Sequence, residues 1–314
     1  MGRDHGGGID AAAERFGGAR DTWIDLSTGI NPVPYPIPAL SARTWRDLPD
    51  RAAQTELVEA ARRFWGVPEG AAILPVPGLS AIIGRLPGLT PAGTVAIPGP
   101  TYNEYAPAFT AAGWQVLALD PVPDHHALVI VHPNNPDGRW HPAPPSGARL
   151  RVIDESFCDL APDRSHIALA AEPRTLVLKS LGKFWGLGGL RLAFVIGDPE
   201  FTDRLSETLG PWHISGPAQE IGRRALADHD WAARTRARLA ADAARMDRLA
   251  AGAGATPAGG TDLFRLYRIP NAAALRGRLA RHRIWSRVFP WSSDLIRLGL
   301  PAPDEWDRVE AALA

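Results

Sequence analysis

The chain has 314 residues, room for one large or two modest domains, and its 34 basic and 34 acidic side chains leave no net charge. That balance argues against a protein held mainly by nucleic acid or an anionic membrane. A single cysteine, Cys158, excludes an internal disulfide and fits a reducing cytoplasm. No apolar run reaches membrane-spanning length, and Met1–Gly8 lacks the apolar core of a signal peptide.

Residues 1–24 read as an N-terminal arm with one short helix near Asp10–Phe16. Residues 25–50 carry Pro32, Pro34, Pro36 and Pro38, a density that predicts extended chain with no regular element. Over 52–65, Ala53, Leu57, Val58, Ala61, Phe64 and Trp65 share one helical face, and Gly66 ends the helix. Short apolar runs then end in turn or polar residues: Thr94–Ile97, Leu128–Val131, Leu150–Ile153, Thr175–Leu178 and Leu192–Ile196. Such runs suit strands buried on both faces. Helical stretches at 78–86 and 102–112 interleave with them, so 25–205 reads as an α/β domain with a mostly parallel sheet. Beyond it, 215–252 is helical. Strand-like Leu263–Ile269, helix 271–282, strand-like Ile284–Phe289 and Leu295–Leu298, and helix 303–313 make 206–314 a smaller α+β domain.

The chain has two lysines, Lys179 and Lys183, four positions apart, and the other 32 cationic side chains are arginine. Codon bias explains the preference for Arg but not the clustering of both lysines in Leu178–Phe184. A guanidinium stays protonated, whereas an amine can form a Schiff base with an aldehyde, most often pyridoxal phosphate. In open α/β sheets ligands bind outside the carboxyl ends of the strands. Asn135, Asp154 and Ser180 through Lys183 each follow a predicted buried strand, so one sheet edge should gather a carboxamide, a carboxylate and an amine.

Three motifs in order carry a resemblance. Ser180-x-x-Lys183 with Gly186–Arg191, Asn134–Gly138, and Asp154–Phe157 resemble the cofactor-binding elements of the fold-type-I pyridoxal-phosphate enzymes of the aminotransferase class I/II group. The resemblance implies that Lys183 holds the cofactor and moves the proton at the substrate carbon. It implies that Asp154 pairs with the pyridinium nitrogen, Asn135 donates to the phenolic oxygen, and Ser180 and Arg191 bind the phosphate. Gly78, Leu79 and Ser80 would complete the phosphate cup, with Leu79 standing where the family often has Thr. Tyr102 would stack on the ring. Lys179 reads as a structural cation replaceable by Arg.

His5-Gly6-Gly7, Asp25–Pro32, Asn134–Arg139 and Phe157 are together similar to the cobalamin-biosynthesis threonine-phosphate decarboxylases. That implies loss of CO2 from L-threonine O-3-phosphate to give (R)-1-aminopropan-2-ol O-2-phosphate. Arg297 would bind the substrate carboxylate, and His5 with the loop Thr28, Gly29, Ile30 and Asn31 would close over its phosphate. Histidinol-phosphate aminotransferases share the fold and most of the site, usually with Thr at the position of Asp137 and Tyr at that of Phe157. The aminotransferase stays open as an alternative, as does a non-catalytic relative.

Only 18 residues separate Asn135 from Asp154, and Trp140–Ala148 is rich in Pro and Gly where the family has a crossover helix. The segment between Gly113 and Leu128 is also short. One sheet face is therefore expected to be bare or covered by a second subunit, and a homodimer is expected from the resemblance. Asp228, Asp230, Asp242 and Asp247 interrupt the Arg-rich helix, so it reads as a solvated face and not a nucleic-acid surface. His125-His126 has no partner at metal-ligand spacing, and no metal is expected.

Overall fold

The computed structural model describes residues 5–118 and 124–314. Met1–Asp4 of the expected arm and the middle of the 113–128 connection lie outside the described residues. In chain order the elements are α1 (Ile9–Phe16), β1 (Ile24–Asp25), α2 (Ala42–Arg46), α3 (Arg51–Trp65), β2 (Ala72–Val76), α4 (Leu79–Ile83), β3 (Thr94–Ala96) and α5 (Tyr105–Ala111). Then come β4 (Gln115–Leu117), β5 (Ala127–Val131), β6 (Leu150–Asp154), β7 (Thr175–Ser180), β8 (Ala193–Gly197), α6 (Pro199–Leu209), α7 (Gly216–Ala227) and α8 (His229–Gly252). The chain ends with β9 (Thr256–Thr261), β10 (Phe264–Arg268), α9 (Ala272–Arg281), β11 (Ile284–Trp285), β12 (Arg287–Phe289), β13 (Ser292–Gly299) and α10 (Trp306–Leu313). Among the described residues no helix is long and apolar enough to cross a membrane.

The chain divides into two compact units. The first holds Tyr35–Asn135 and Trp140–Ala232; the second holds the chain up to Pro34, Pro136–Arg139 and Ala233–Ala314.

The first unit is built on a seven-stranded sheet of order β2-β8-β7-β6-β5-β3-β4. β8 runs antiparallel to both neighbours, and the other adjacent pairs are parallel. This is the expected α/β architecture. Val129, Val131, Val152, Leu176, Leu178 and Val195 alternate onto one face, where they pack with Ile82, Tyr105, Phe109, Phe201 and Leu205. Burial on both faces explains why these strands read as unbroken apolar runs. β2 escaped detection because it contains Pro75, which is tolerated because β2 is an edge strand. α2 interrupts the stretch expected to be irregular: the prolines end at Pro38, and the Ser41 side chain caps the Thr44 N–H.

The parallel β5–β6 connection, residues 132–149, contains no helix, as its composition predicted. The sheet face is nonetheless covered, which corrects the expectation of a bare surface. Leu128, Ile130 and Ile153 are buried within this chain. Arg151, itself 3% exposed, donates to Pro144 O and Pro145 O at 3.0 Å each and to Thr175 Oγ1, and it pairs with Glu172. A buried guanidinium thus anchors the proline-rich connection to the sheet. Its donors find acceptors, without which burying the charge would be costly.

The second unit carries the antiparallel sheet β12-β13-β10-β9 and the parallel pair β1–β11. The single strand expected over Ile284–Phe289 is two strands, because β11 pairs with β1 and β12 with β13. Ile9 and Ala12 of α1 pack against Trp23, Ala280 and Trp285. The turn Pro136–Arg139 docks on β9: Gly260 N–H donates to Asp137 O at 2.7 Å. A Cβ on Gly138 (φ 71°) would lie 1.9 Å from Gly260 O, so the approach needs glycine.

Candidate active site

The register of the first unit's sheet aligns the strand ends. Val131 faces Asp154, and Asp154 faces Leu178, so β5, β6 and β7 finish together. Asn135, Asp154, Ser180 and Lys183 therefore reach one sheet edge, as the topology argument required. Asp154 is 3% exposed. Its Oδ1 accepts from the Ser156 N–H at 2.9 Å and the Ser156 hydroxyl at 2.5 Å; its Oδ2 accepts from the Tyr105 hydroxyl at 2.6 Å. Burial pushes the Asp154 carboxyl up, against the pull of these bonds and of the Lys183 charge. Lys183 Nζ sits 5.5 Å from the ring centre of Phe157. The Ser180 hydroxyl accepts from the Gly182 N–H at 3.1 Å and shapes the turn leading to Lys183.

Asn134, fully buried, donates to Pro100 O at 3.0 Å and accepts from the Thr101 hydroxyl at 2.6 Å. It ties the Asn134-Asn135 turn to the segment that presents Tyr102. Tyr102 is half-buried and meets Tyr105 edge-on, ring centres 6.1 Å apart. Gly78 (φ 85°) lies so close to Arg191 that a Cβ would come within 2.3 Å of its Nη2. Arg191 donates to the Ser80 hydroxyl and to Gly188 O, both at 3.0 Å. Leu79 turns its side chain into the core, so it offers this cluster only backbone.

The two lysines differ in burial: Lys179 is buried and Lys183 half-buried. Lys179 Nζ is buried 2.5 Å from Glu155 and 3.9 Å from Asp159, and it donates to the Ser165 hydroxyl. Burial alone would lower its pKa, but the two carboxylates outweigh that and raise it. It is a locked cation. Asp159 also accepts from the indole N–H groups of Trp65 and Trp185, at 2.8 and 2.9 Å.

His132, Glu155 and Cys158 bring donor atoms within 4.8 Å of one another. His132 Nδ1 accepts from the His141 N–H and its Nε2 donates to Arg164 O. Glu155 is taken up by Lys179, Ser165 and the His166 N–H. The protein itself engages the His and Glu donors, and we assign no ion there.

In the second unit, Arg297 is 5% exposed and donates to Ser27 O at 2.6 Å. Burial, with Arg287 beside it, pushes its pKa down to about 10, so it stays cationic near neutral pH. Arg287 is its register partner on β12. The Ser27 hydroxyl donates to Asp25 and accepts from the Gly7 N–H at 2.6 Å, and the Trp285 indole donates to Gly7 O. The glycine arm bearing exposed His5 is thereby tied to the loop of Thr28, Gly29, Ile30 and Asn31. Buried Asn31 uses its side-chain oxygen to hold the Val33 N–H and Arg238.

Asn134 and Ser27 lie inside the motifs and Tyr105 near Tyr102, but the sequence assigns no role to any of them or to Arg287. Tyr105 stands 49 positions from Asp154, and no local pattern links them. Ser156 had a legible signal, since a hydroxyl two residues after an aspartate readily forms a local turn.

The aminotransferase class I and II family model matches residues 21–276. A threonine-phosphate decarboxylase of Sinorhizobium sp is 42% identical, covering 96% of this chain and 93% of its own. A threonine-phosphate decarboxylase of Pseudomonas aeruginosa is 37% identical, covering 99% and 97%. The histidinol-phosphate aminotransferase of Sinorhizobium meliloti, solved in complex with pyridoxal-5'-phosphate, superposes with a TM-score of 0.79 at 20% identity, over 98% of this chain and 93% of that one. The sheet order, the aligned strand ends and the motif order agree with the match: the chain belongs to the aminotransferase class I and II family.

Proposed function

We propose that the chain is a pyridoxal-phosphate-dependent lyase that removes CO2 from L-threonine O-3-phosphate and leaves (R)-1-aminopropan-2-ol O-2-phosphate. The observation that carries this reading is the pair of relatives, 42% and 37% identical over nearly the whole chain, both threonine-phosphate decarboxylases. By resemblance the product serves cobalamin assembly in the cytoplasm.

The residues fit the cofactor. The sheet edge offers one amine, one buried carboxylate dressed for its ionised form, and a glycine cradle beside a serine-bound arginine. When bound, pyridoxal phosphate supplies an aldehyde for attachment and an electron sink for bond breaking at the substrate Cα. Lys183 would hold it through its amine and, once the substrate's amine has displaced that amine, would be free to carry a proton to Cα. Asp154 would pair with the ring nitrogen, Asn135 with the phenolic oxygen, and Tyr102 would cover the ring face. Ser180, Ser80, Arg191 and the backbone of Gly78 and Leu79 would take the phosphate. Arg297 orients the substrate carboxylate, and His5 with Thr28–Asn31 takes the substrate phosphate. Loss of the carboxylate as CO2 would leave the bonding electrons at Cα, where a proton from Lys183 would replace it. Phe157 has no hydroxyl to offer, so the phenolic oxygen would be left to Asn135.

We read the working form as a homodimer. Ile37, Trp45 and Leu48 are 66%, 70% and 63% exposed and lie within twelve positions of chain, an apolar set suited to a second copy. Assay of the purified, cofactor-loaded protein tests the whole reading. CO2 release from L-threonine O-3-phosphate with the cofactor's aldehyde form retained supports it. Conversion of the cofactor to its amine form by an amino donor, without CO2, would make the chain an aminotransferase. Failure to bind the cofactor would leave a non-catalytic relative.

A further inference from the structure

We infer that Tyr105 is a positioning residue for the cofactor's ring nitrogen and acts through Asp154, a role that rests on the pyridoxal-phosphate reading above. Tyr105 is the first residue of α5 and Asp154 the last of β6. The phenol is fully buried, and its hydroxyl donates to Asp154 Oδ2 at 2.6 Å. The other oxygen, Oδ1, is held by Ser156 through its amide and its hydroxyl. Ser156 sits two residues away and is a local support. Tyr105 is the long-range support, and it fixes the rotation of the carboxylate from across the sheet edge.

The chemical consequence follows from what the carboxylate must do. To pair with a protonated ring nitrogen, Asp154 must itself be ionised. A carboxylate buried to this degree tends to take up a proton instead. A donor that hydrogen-bonds the ionised form opposes that tendency. A phenol serves well here: it donates one strong bond, and burial together with the adjacent carboxylate raises its own pKa well above 10, so it keeps its proton. Each carboxylate oxygen can accept more than one bond, so Oδ2 can hold the phenol and still face a ring N–H. Tyr102, three positions earlier and edge-on to Tyr105, is the residue assigned to the ring face. One short segment therefore serves the ring from two directions.

The simpler alternative is that the Tyr105 hydroxyl merely satisfies itself, as buried phenols do. The two accounts separate when the ring nitrogen is removed. Tyr105→Phe keeps the ring and deletes one oxygen. The dissociation constants of wild type and Tyr105→Phe are measured for pyridoxal phosphate and for its carbocyclic analogue, in which CH replaces the ring nitrogen. We expect Tyr105→Phe to weaken pyridoxal phosphate about tenfold, as for loss of a hydrogen bond to a charged group, and to leave the analogue unchanged. In an Asp154→Asn background, Tyr105→Phe should cost nothing further for pyridoxal phosphate. Equal weakening of both ligands, or weakening of neither, overturns the inference and leaves Tyr105 a packing residue. Should Tyr105→Phe not fold, 3-fluorotyrosine at position 105 keeps the shape and strengthens the donor. It should then favour pyridoxal phosphate over the analogue more than wild type does, and an unchanged preference overturns the inference. If the wild type binds neither ligand, the cofactor reading itself fails, a result distinct from those above.

Discussion

Lys179 Nζ lies 2.5 Å from Glu155 Oε2, and neither side chain is more than 2% exposed. This buried pair accounts for one of the two lysines by electrostatics alone, which supports the proposal of Lys183 as the reactive amine. Lys183→Ala should abolish the visible absorbance of the lysine-bound cofactor, whereas Lys179→Arg should retain it. The reverse pattern in an absorbance scan of the two purified variants would reassign the reactive lysine.

Removing the Lys179 charge is another matter. Lys179→Met leaves Glu155 and Asp159 buried without their cation, and breaking such a pair costs about 3–5 kcal/mol. Urea unfolding should show a midpoint shift of corresponding size. A loss under about 1 kcal/mol would mean that the carboxylates relax or take up protons at little cost.

The same cluster sets a pH dependence. The Glu155 pKa is held below its usual 4.5, because Lys179 and the hydrogen bonds outweigh burial. Its stabilisation is present above 4.5 and is lost as pH falls through the lower folded value. His132 is pushed down to about 4 by burial, from 6.5. The unfolded chain therefore binds more protons between those values, and stability falls as pH drops from 6.5 toward 4. Unfolding free energy measured from pH 7 to 5 should decline, and His132→Gln should flatten that decline. An unaltered slope in the variant would assign it to other groups.

Arg297→Ala should raise KM for the phosphorylated substrate at least tenfold while leaving cofactor affinity within about twofold, as for loss of a charge-assisted contact. With its pKa near 10, substrate binding by the wild type should weaken as pH rises through that value. Loss of cofactor in the variant would show that Arg297 serves the cofactor instead.

Gly138→Ala tests the docking of the turn on β9. The new methyl would meet Gly260 O at 1.9 Å on a backbone with φ 71°. Strain and overlap should destabilise the fold by about 3 kcal/mol. A thermal midpoint equal to wild type would show that the turn shifts freely.

Much of the site could be read from the chain because its groups follow strands. Asn135, Asp154 and Lys183 sit just beyond apolar runs, and the rule that ligands bind at carboxyl strand ends predicts that they share one edge. The proline-rich 140–148 segment also declared its lack of a helix. What covers the sheet in its place did not show, because Arg151 reads as an ordinary charge inside a strand. Its acceptors, Pro144 O and Pro145 O, are backbone atoms with no mark in the sequence. The edge strands β2 and β9 were missed because Pro75 and the Gly259-Gly260 pair depress strand propensity, and only an edge position makes them acceptable.

Residue type and local order were enough for the α/β class and for the position of Asn135, Asp154 and Lys183 at the strand ends. Those features depend on side-chain chemistry and on periodicity over a few residues. The division of labour within the site needed the folded chain. Lys179 is locked by Glu155, Asp154 is held by Tyr105 from 49 positions away, and Arg297 meets Ser27 O across 270. Such pairings are set by sheet order and register, which bring together residues whose separation along the chain carries no periodic signal.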